Sequence, residues 1–214
     1  MAINLIKGQR VQLDRSLSQL KVQLGWQVNP NANPPYDLDA STFLLNTVGQ
    51  ISCEEDFVFY GSHNTIRHKD GTIRPVSKDQ SVLGSIDDLG NDEDGDGVGN
   101  EEILVDLKKT GKTIAEIIFA VSIYWNINDV DNPALAPRFK YNFGQVQNAY
   151  IQIINALNDE IICRYDLDED FSTDKGVEFG RLYRRNGEWK FQAVGEPHKD
   201  GLEPIVRKYA SKFI

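Results

Sequence analysis

The chain has 214 residues, 40% hydrophobic and 26% charged, with a net charge of −9 at neutral pH. This is the composition of a globular protein, long enough to bury a core without disulfide or metal staples. It excludes a transmembrane helix, since no apolar run approaches 18 residues, and it disfavours nucleic acid, since no basic patch with interleaved aromatics offsets the acids. The N-terminal Met1 to Gly8 lacks the long apolar region of a secretory signal and reads as the start of a strand, so a cytoplasmic chain is expected.

Period-2 patterning dominates the chain. Val22, Leu24, Trp26 and Val28 alternate with Lys21, Gln23, Gly25 and Gln27, which predicts a half-buried strand. An Asn- and Pro-rich loop follows from Pro30 to Pro35. Asp56 to Tyr60 is a short aromatic and β-branched run, and Asp70-Gly71 marks a turn. Ile103 to Leu107 is a further strand. Ile114 to Trp125 is almost wholly apolar and predicts a central strand buried on both faces. Asn126 to Pro137 is a second broken loop. Ala149 to Ile154 and Ile161 to Tyr165 are strands, and Asn186-Gly187 sets a type I′ hairpin between Leu182-Tyr183-Arg184 and Trp189-Lys190-Phe191. Leu202, Ile205, Val206, Tyr209 and Phe213 recur at helical spacing near the C-terminus. Tyr36-Asp37-Leu38-Asp39 recurs as Tyr165-Asp166-Leu167-Asp168, which suggests one strand-to-loop exit used twice. These elements predict a mainly β fold, a two-sheet β-sandwich with a few short helices, as one domain over residues 1–214.

The charge is concentrated. Asp87, Asp88, Asp92, Glu93, Asp94, Asp96, Glu101 and Glu102 fall within sixteen residues that contain no base. Removing those eight from the 32 acids leaves 24 against 23 bases, a net of −1. The core of the segment, Asp92-Glu93-Asp94-Gly95-Asp96-Gly97, alternates short carboxylates with glycines, the chemistry that wraps a chain around a calcium ion. An EF-hand is excluded because Ile103 stands at the twelfth position and a strand follows. Zinc would need His or Cys, and magnesium demands stricter octahedral geometry. The bland reading, a solvated acidic loop, must tolerate eight like charges without relief. Asp37 and Asp39, spaced to share a strand face, are either an exposed turn or the second half of a metal site.

Other chemistry has less support. Cys53 and Cys163 read as reduced structural thiols, with no CxxC and no neighbouring His. His63, His68 and His198 lie in polar stretches and read as surface residues. No nucleophile-elbow, phosphate-loop or zinc-protease motif is present. A calcium-dependent hydrolase with an unrecognised active site is the alternative to a calcium-ordered binding module.

Several stretches together resemble the TerD family of tellurium-resistance and calcium-binding stress proteins. They are Ile3-Asn4-Leu5 with Lys7 to Val11, Leu24-Gly25-Trp26, Asp37-Leu38-Asp39-Ala40-Ser41, Phe43-Leu44-Leu45 and Glu55 to Tyr60. The Asp/Gly segment leading to Val105-Asp106-Leu107 follows, then Asn142 to Val146, Arg164 to Leu167, Glu169 to Ser172 and Asn186 to Phe191. The resemblance implies a β-sandwich, calcium held where the acidic segment meets Asp37-Leu38-Asp39, a role in resistance to tellurite and other stresses, and no established catalysis. It implies Asp37, Asp39, Asp87, Asp94 and Asp96 as the leading ligands. Glu101 and Glu102 stand where the family's loop ends in acids, and Asp88 and Asp92 complete the set. The chain departs in a longer acidic segment, in Ser85-Ile86, and in the length of Asn126 to Lys140.

Overall fold

In the computed structural model, residues 2–27, 29, 31–86, 98–126, 128, 130–167 and 171–213 are described, with the backbone alone for 98–100. The strands in chain order are β1 (Ile3–Leu5), β2 (Arg10–Gln12), β3 (Gln19–Gln27), β4 (Leu38–Leu45), β5 (Phe57–Val58), β6 (Thr65–Arg67) and β7 (Ile73–Pro75). They continue with β8 (Val82–Leu83), β9 (Val98–Asp106), β10 (Glu116–Ile123), β11 (Gln147–Asn155), β12 (Glu160–Asp166), β13 (Gly176–Arg185) and β14 (Glu188–His198). One α-helix, α1 (Leu202–Tyr209), closes the chain.

Two six-stranded sheets form the sandwich, in the orders β1-β12-β11-β3-β9-β8 and β2-β14-β13-β10-β4-β5, and β6 and β7 pair separately. Alternation decides which side chains meet. In β3, Leu20, Val22, Leu24 and Trp26 face inward with Ile103 and Val105 of β9 and Ile151 and Ile153 of β11. The second sheet answers with Leu38, Ala40 and Leu44 of β4 and Ile117, Phe119 and Val121 of β10. The opposite faces of the same two strands are also apolar. Phe43, Leu45, Ile118 and Ala120 pack beneath Ile205, Tyr209 and Ala210 of the C-terminal helical segment. The helix therefore explains why β10 reads as apolar on both faces.

Most expected elements are present. The Asn186-Gly187 turn has φ of 55° and 78°, the left-handed pair that a type I′ hairpin needs, and it joins Arg185 to its partner Glu188. Asp70-Gly71 turns β6 into β7. Two expectations need correction. Of the run Asp56 to Tyr60 only Phe57 and Val58 are strand, because Glu54–Asp56 form a 3-10 turn. The repeated Tyr-Asp-Leu is not one exit used twice. Tyr36 and Asp37 lead into β4 of the second sheet, whereas Tyr165 and Asp166 end β12 of the first. The second Asp of that repeat, Asp168, lies outside the described residues, as does Val28.

The helix is tied down by a buried carboxylate as well as by apolar packing. Glu178 of β13 is 1% exposed. Its Oε1 accepts from His198 Nε2 and Lys208 Nζ, both at 2.8 Å, and its Oε2 accepts from the Tyr209 hydroxyl at 2.7 Å. Burial pushes the Glu178 carboxyl up, but the three hydrogen bonds together outweigh it and hold the group below its ordinary value of 4.5. Burial likewise opposes the charge of Lys208, and its bonds to Glu178 and Glu196 prevail and raise it. A carboxyl with a lower pKa folded than unfolded contributes its stability above the ordinary glutamate range and loses it as pH falls through the folded value. Melting temperature should therefore drop on acidification below about pH 4.5. Glu178→Gln should lower it at neutral pH and flatten that acid limb, as thermal melts across pH would show.

Candidate functional site

The connections that matter gather at one end of the sandwich. Gln27, the last residue of β3, is paired with Val98, the first of β9, and with Gln147, the first of β11. The chain passes from there to β4, whose first residue, Leu38, is paired with Ile123 at the end of β10. Ser122 in turn meets Gly176, which opens β13. The segments 28–37, 84–97, 124–146 and 167–175 all start or finish at this end. Three of them, 28–37, 124–146 and 167–175, are joined by hydrogen bonds from Tyr124 N to Asp37 O (2.7 Å), Tyr141 Oη to Pro34 O (2.8 Å), Lys175 Nζ to Phe139 O (2.7 Å) and Phe143 N to Asp174 O (2.8 Å).

Asp37 and Asp39 stand in the middle of this end. Both are buried, 7% and 5% exposed, which removes the exposed-turn reading. They sit two residues apart on the face of β4 that also carries Ser41, Phe43 and Leu45, the outer face of the second sheet. Asp37 Oδ2 accepts from Arg138 Nη1 at 2.7 Å, and the two side chains are only 10% and 15% exposed. Arg138 lies one residue past the second broken loop, in a 3-10 turn over Ala136–Lys140, and its guanidinium is 6.0 Å from the centre of the Tyr124 ring. Asp39 borders a recess of about 180 Å³ shared with Tyr60, Ser122, Tyr124 and, from the start of α1, Asp200 and Glu203.

The remaining proposed ligands divide. Glu101 is 3% exposed and lies in β9 opposite Leu24, on the inward side with Ile103 and Val105. Glu102 is on the other side of β9. Its N–H donates to Ser85 Oγ at 3.0 Å, and its carbonyl accepts from the buried Arg74 at 3.1 Å. The strands thus bring Asp37 and Asp39 together and place Glu101 and Glu102 on opposite faces of another sheet. Asp87, Asp88, Asp92, Asp94 and Asp96 lie outside the described residues. The segment that carries them leaves from Ile86 and re-enters at Val98, beside Gln27, at the end that holds Asp37 and Asp39.

As donors these groups are all carboxylates, the hard oxygen ligands that suit calcium and not zinc. A different constellation, Glu178, Glu196 and His198, has its ligand atoms within 4.8 Å of one another. Lys208 Nζ already sits between its carboxylates, 2.8 Å from Glu178 and 2.9 Å from Glu196, so an ammonium holds the cation position. Sequence reasoning missed this network and placed His198 at the surface, yet its side chain is only 10% exposed. The spacing Glu196-x-His198, which puts both on one strand face, was the available signal. His63 is exposed as expected, and His68 is held by Asp70.

The thiols are free and of low nucleophilic potential. Cys163 is buried and Cys53 half-buried. Burial foremost pushes both up to about 12, aided at Cys53 by Glu55 and Asp56.

Breaking the Asp37–Arg138 pair from the cationic side removes a positive charge from beside a buried carboxylate. Arg138→Ala should cost about 3–5 kcal/mol in metal-free urea unfolding, whereas truncating the exposed Arg15, which pairs with Glu188 at the surface, should cost under about 1 kcal/mol.

Comparison with known proteins agrees with this architecture. The TerD domain model matches residues 1–209. The chain is 36% identical to the tellurium resistance protein TerD of Serratia marcescens and 37% identical to general stress protein 16U of Bacillus subtilis, in each case over 98% of this chain and 97% of the relative. The crystal structure of a homologue of telluride resistance protein from Streptomyces coelicolor superposes with a TM-score of 0.60 at 17% identity, over 92% of this chain and 98% of that one. With its two-sheet fold and a sequence match across nearly its whole length, the chain belongs to the TerD family of tellurium-resistance and stress-response proteins.

Proposed function

We propose that this chain is a calcium-ordered binding or scaffold module and not an enzyme. The observation that carries the reading is the burial of Asp37 and Asp39 at the end of the sandwich where the eight-acid segment enters β9. Placing carboxylates out of water is costly unless positive charge is close. Arg138 supplies one such charge to Asp37. A divalent cation would supply two more and would offset part of the charge of the segment from Asp87 to Glu102. In this reading Asp37 and Asp39 are preset ligands on a rigid strand. Asp87, Asp88, Asp92, Asp94 and Asp96 are recruited to them, and Glu101 and Glu102 anchor the segment where it joins the sheet. Ordering it would present a defined surface to a protein partner.

The binding reading also draws support from what the polar side chains are doing. His198 is engaged with Glu178, His68 with Asp70, and both thiols are pushed far from the thiolate range. Thiol-based handling of tellurite would need an exposed, low-pKa cysteine. The relatives' names attach tellurium resistance and general stress to the family, and a role for this chain in such stresses is proposed on that basis.

Isothermal titration with calcium separates the readings. Saturable binding should appear in the wild-type chain, weaken at least about tenfold in Asp37→Ala and in Asp94→Ala, and raise the melting temperature in step with occupancy. Heat of binding that is absent, or that is indifferent to both substitutions, would remove the two-segment site.

A further inference from the structure

The outer face of the second sheet is only partly covered. With eight residues, α1 spans about 12 Å. Its apolar side closes over Phe43, Leu45, Ile118 and Ala120, with Phe57 of the edge strand β5 packed at the margin of the same cluster. Beyond it lies a cleft of about 480 Å³ lined by Ile51, Phe57, Phe59, Val206, Ala210 and Phe213. That size falls within the range of sites that hold small organic ligands.

The floor of the cleft has a specific shape. Phe43, Phe57 and Phe59 form a parallel stack, with ring centres 4.5 Å and 4.3 Å apart and planes tilted by 11° and 8°. Phe43 is fully buried and also contacts Tyr209, so the stack is anchored in the packed layer under α1. Phe57 and Phe59 are half-buried and face the cleft. Gly61 has no side chain to crowd the last ring, and a Cβ there would fall 2.6 Å from the ring of Phe59. A flat aromatic guest can extend this stack only at Phe59, the ring that ends it on the cleft side.

The rim has a sign. Glu54 and Glu55, both exposed, project from the 3-10 turn before β5, and among the described residues the lining holds no lysine or arginine and one basic side chain, His63. Glu55 is held in its ionised form by its own backbone N–H and by Cys53, with Lys78 adding a smaller contribution. The two carboxylates at the rim attract a cation.

We propose that this cleft is a binding site for planar aromatic organic cations, separate from the calcium site and independent of it. The phenylalanine stack supplies the apolar contact, and Glu54 and Glu55 select the charge. Neither Asp37 nor Asp39 takes part, so the site works without divalent metal.

The test uses two three-ring probes of similar size and opposite charge, proflavine and anthracene carboxylate, followed by fluorescence anisotropy in excess chelator. Proflavine should bind saturably and about tenfold more tightly than the anion, with an affinity that falls as salt rises. Glu54→Gln with Glu55→Gln should erase the preference for the cation. Val206→Trp should fill the cleft and abolish binding of both probes, while circular dichroism shows the fold retained. Should Val206→Trp unfold the chain, Phe59→Ala replaces it and should weaken proflavine about tenfold. Absence of saturable proflavine binding, equal affinity for the two probes, or binding unaffected by the cleft-directed variant would each overturn the proposal.

Discussion

The structure turns on keeping two aspartates out of water at one end of a β-sandwich. Asp39 lies in β4 and Asp37 just before it, and the segment with eight further acids enters β9 beside Gln27. Charge kept out of water is costly, and repulsion between like charges strengthens as the local dielectric falls. The fold answers with Arg138, drawn in from a loop 101 residues away in sequence, and with hydrogen bonds that lace three connecting segments together. At the far end Asn186-Gly187 makes a tight connection.

The same logic appears again under α1, with a different solution. Glu178 is buried as deeply as the core aliphatics, and it is satisfied completely by side chains of the protein itself. Lys208 and Tyr209 come from the helix, so the carboxylate determines where the helix docks. Removing one partner from such a network leaves the others stranded, which makes it a specificity device as much as a source of stability. The two acidic centres therefore divide the work. One is closed by the chain's own cation, and the other is proposed to take its cation from solution.

Much of this was legible in the residues. The Asn-Gly turn, the doubly apolar β10 and the alternation in β3 follow from local chemistry, and each forms as expected. The acidic segment stood out by charge density, and the strand beyond it is β9, not the second helix of an EF-hand. What stayed hidden depends on contacts between distant positions. Nothing local in Arg138 announces Asp37, and nothing near Glu178 announces Lys208, 30 residues on. The repeated Tyr-Asp-Leu misled because four matching residues carry no information about strand direction. One copy enters a strand, and the other leaves one.

Parity within strands also limits how the acids can act. Asp37 and Asp39 share a face, whereas Glu101 and Glu102, being adjacent, cannot. In the proposed site an ion would be reached from Asp37 and Asp39 on one sheet and from the entry of β9 on the other. The most direct measurement is backbone amide exchange with and without calcium. The account predicts strong added protection from residue 87 to 102 and around Asp37 to Asp39, with the Asn186-Gly187 hairpin unchanged. Exchange unaltered in both acidic segments at saturating calcium would contradict it.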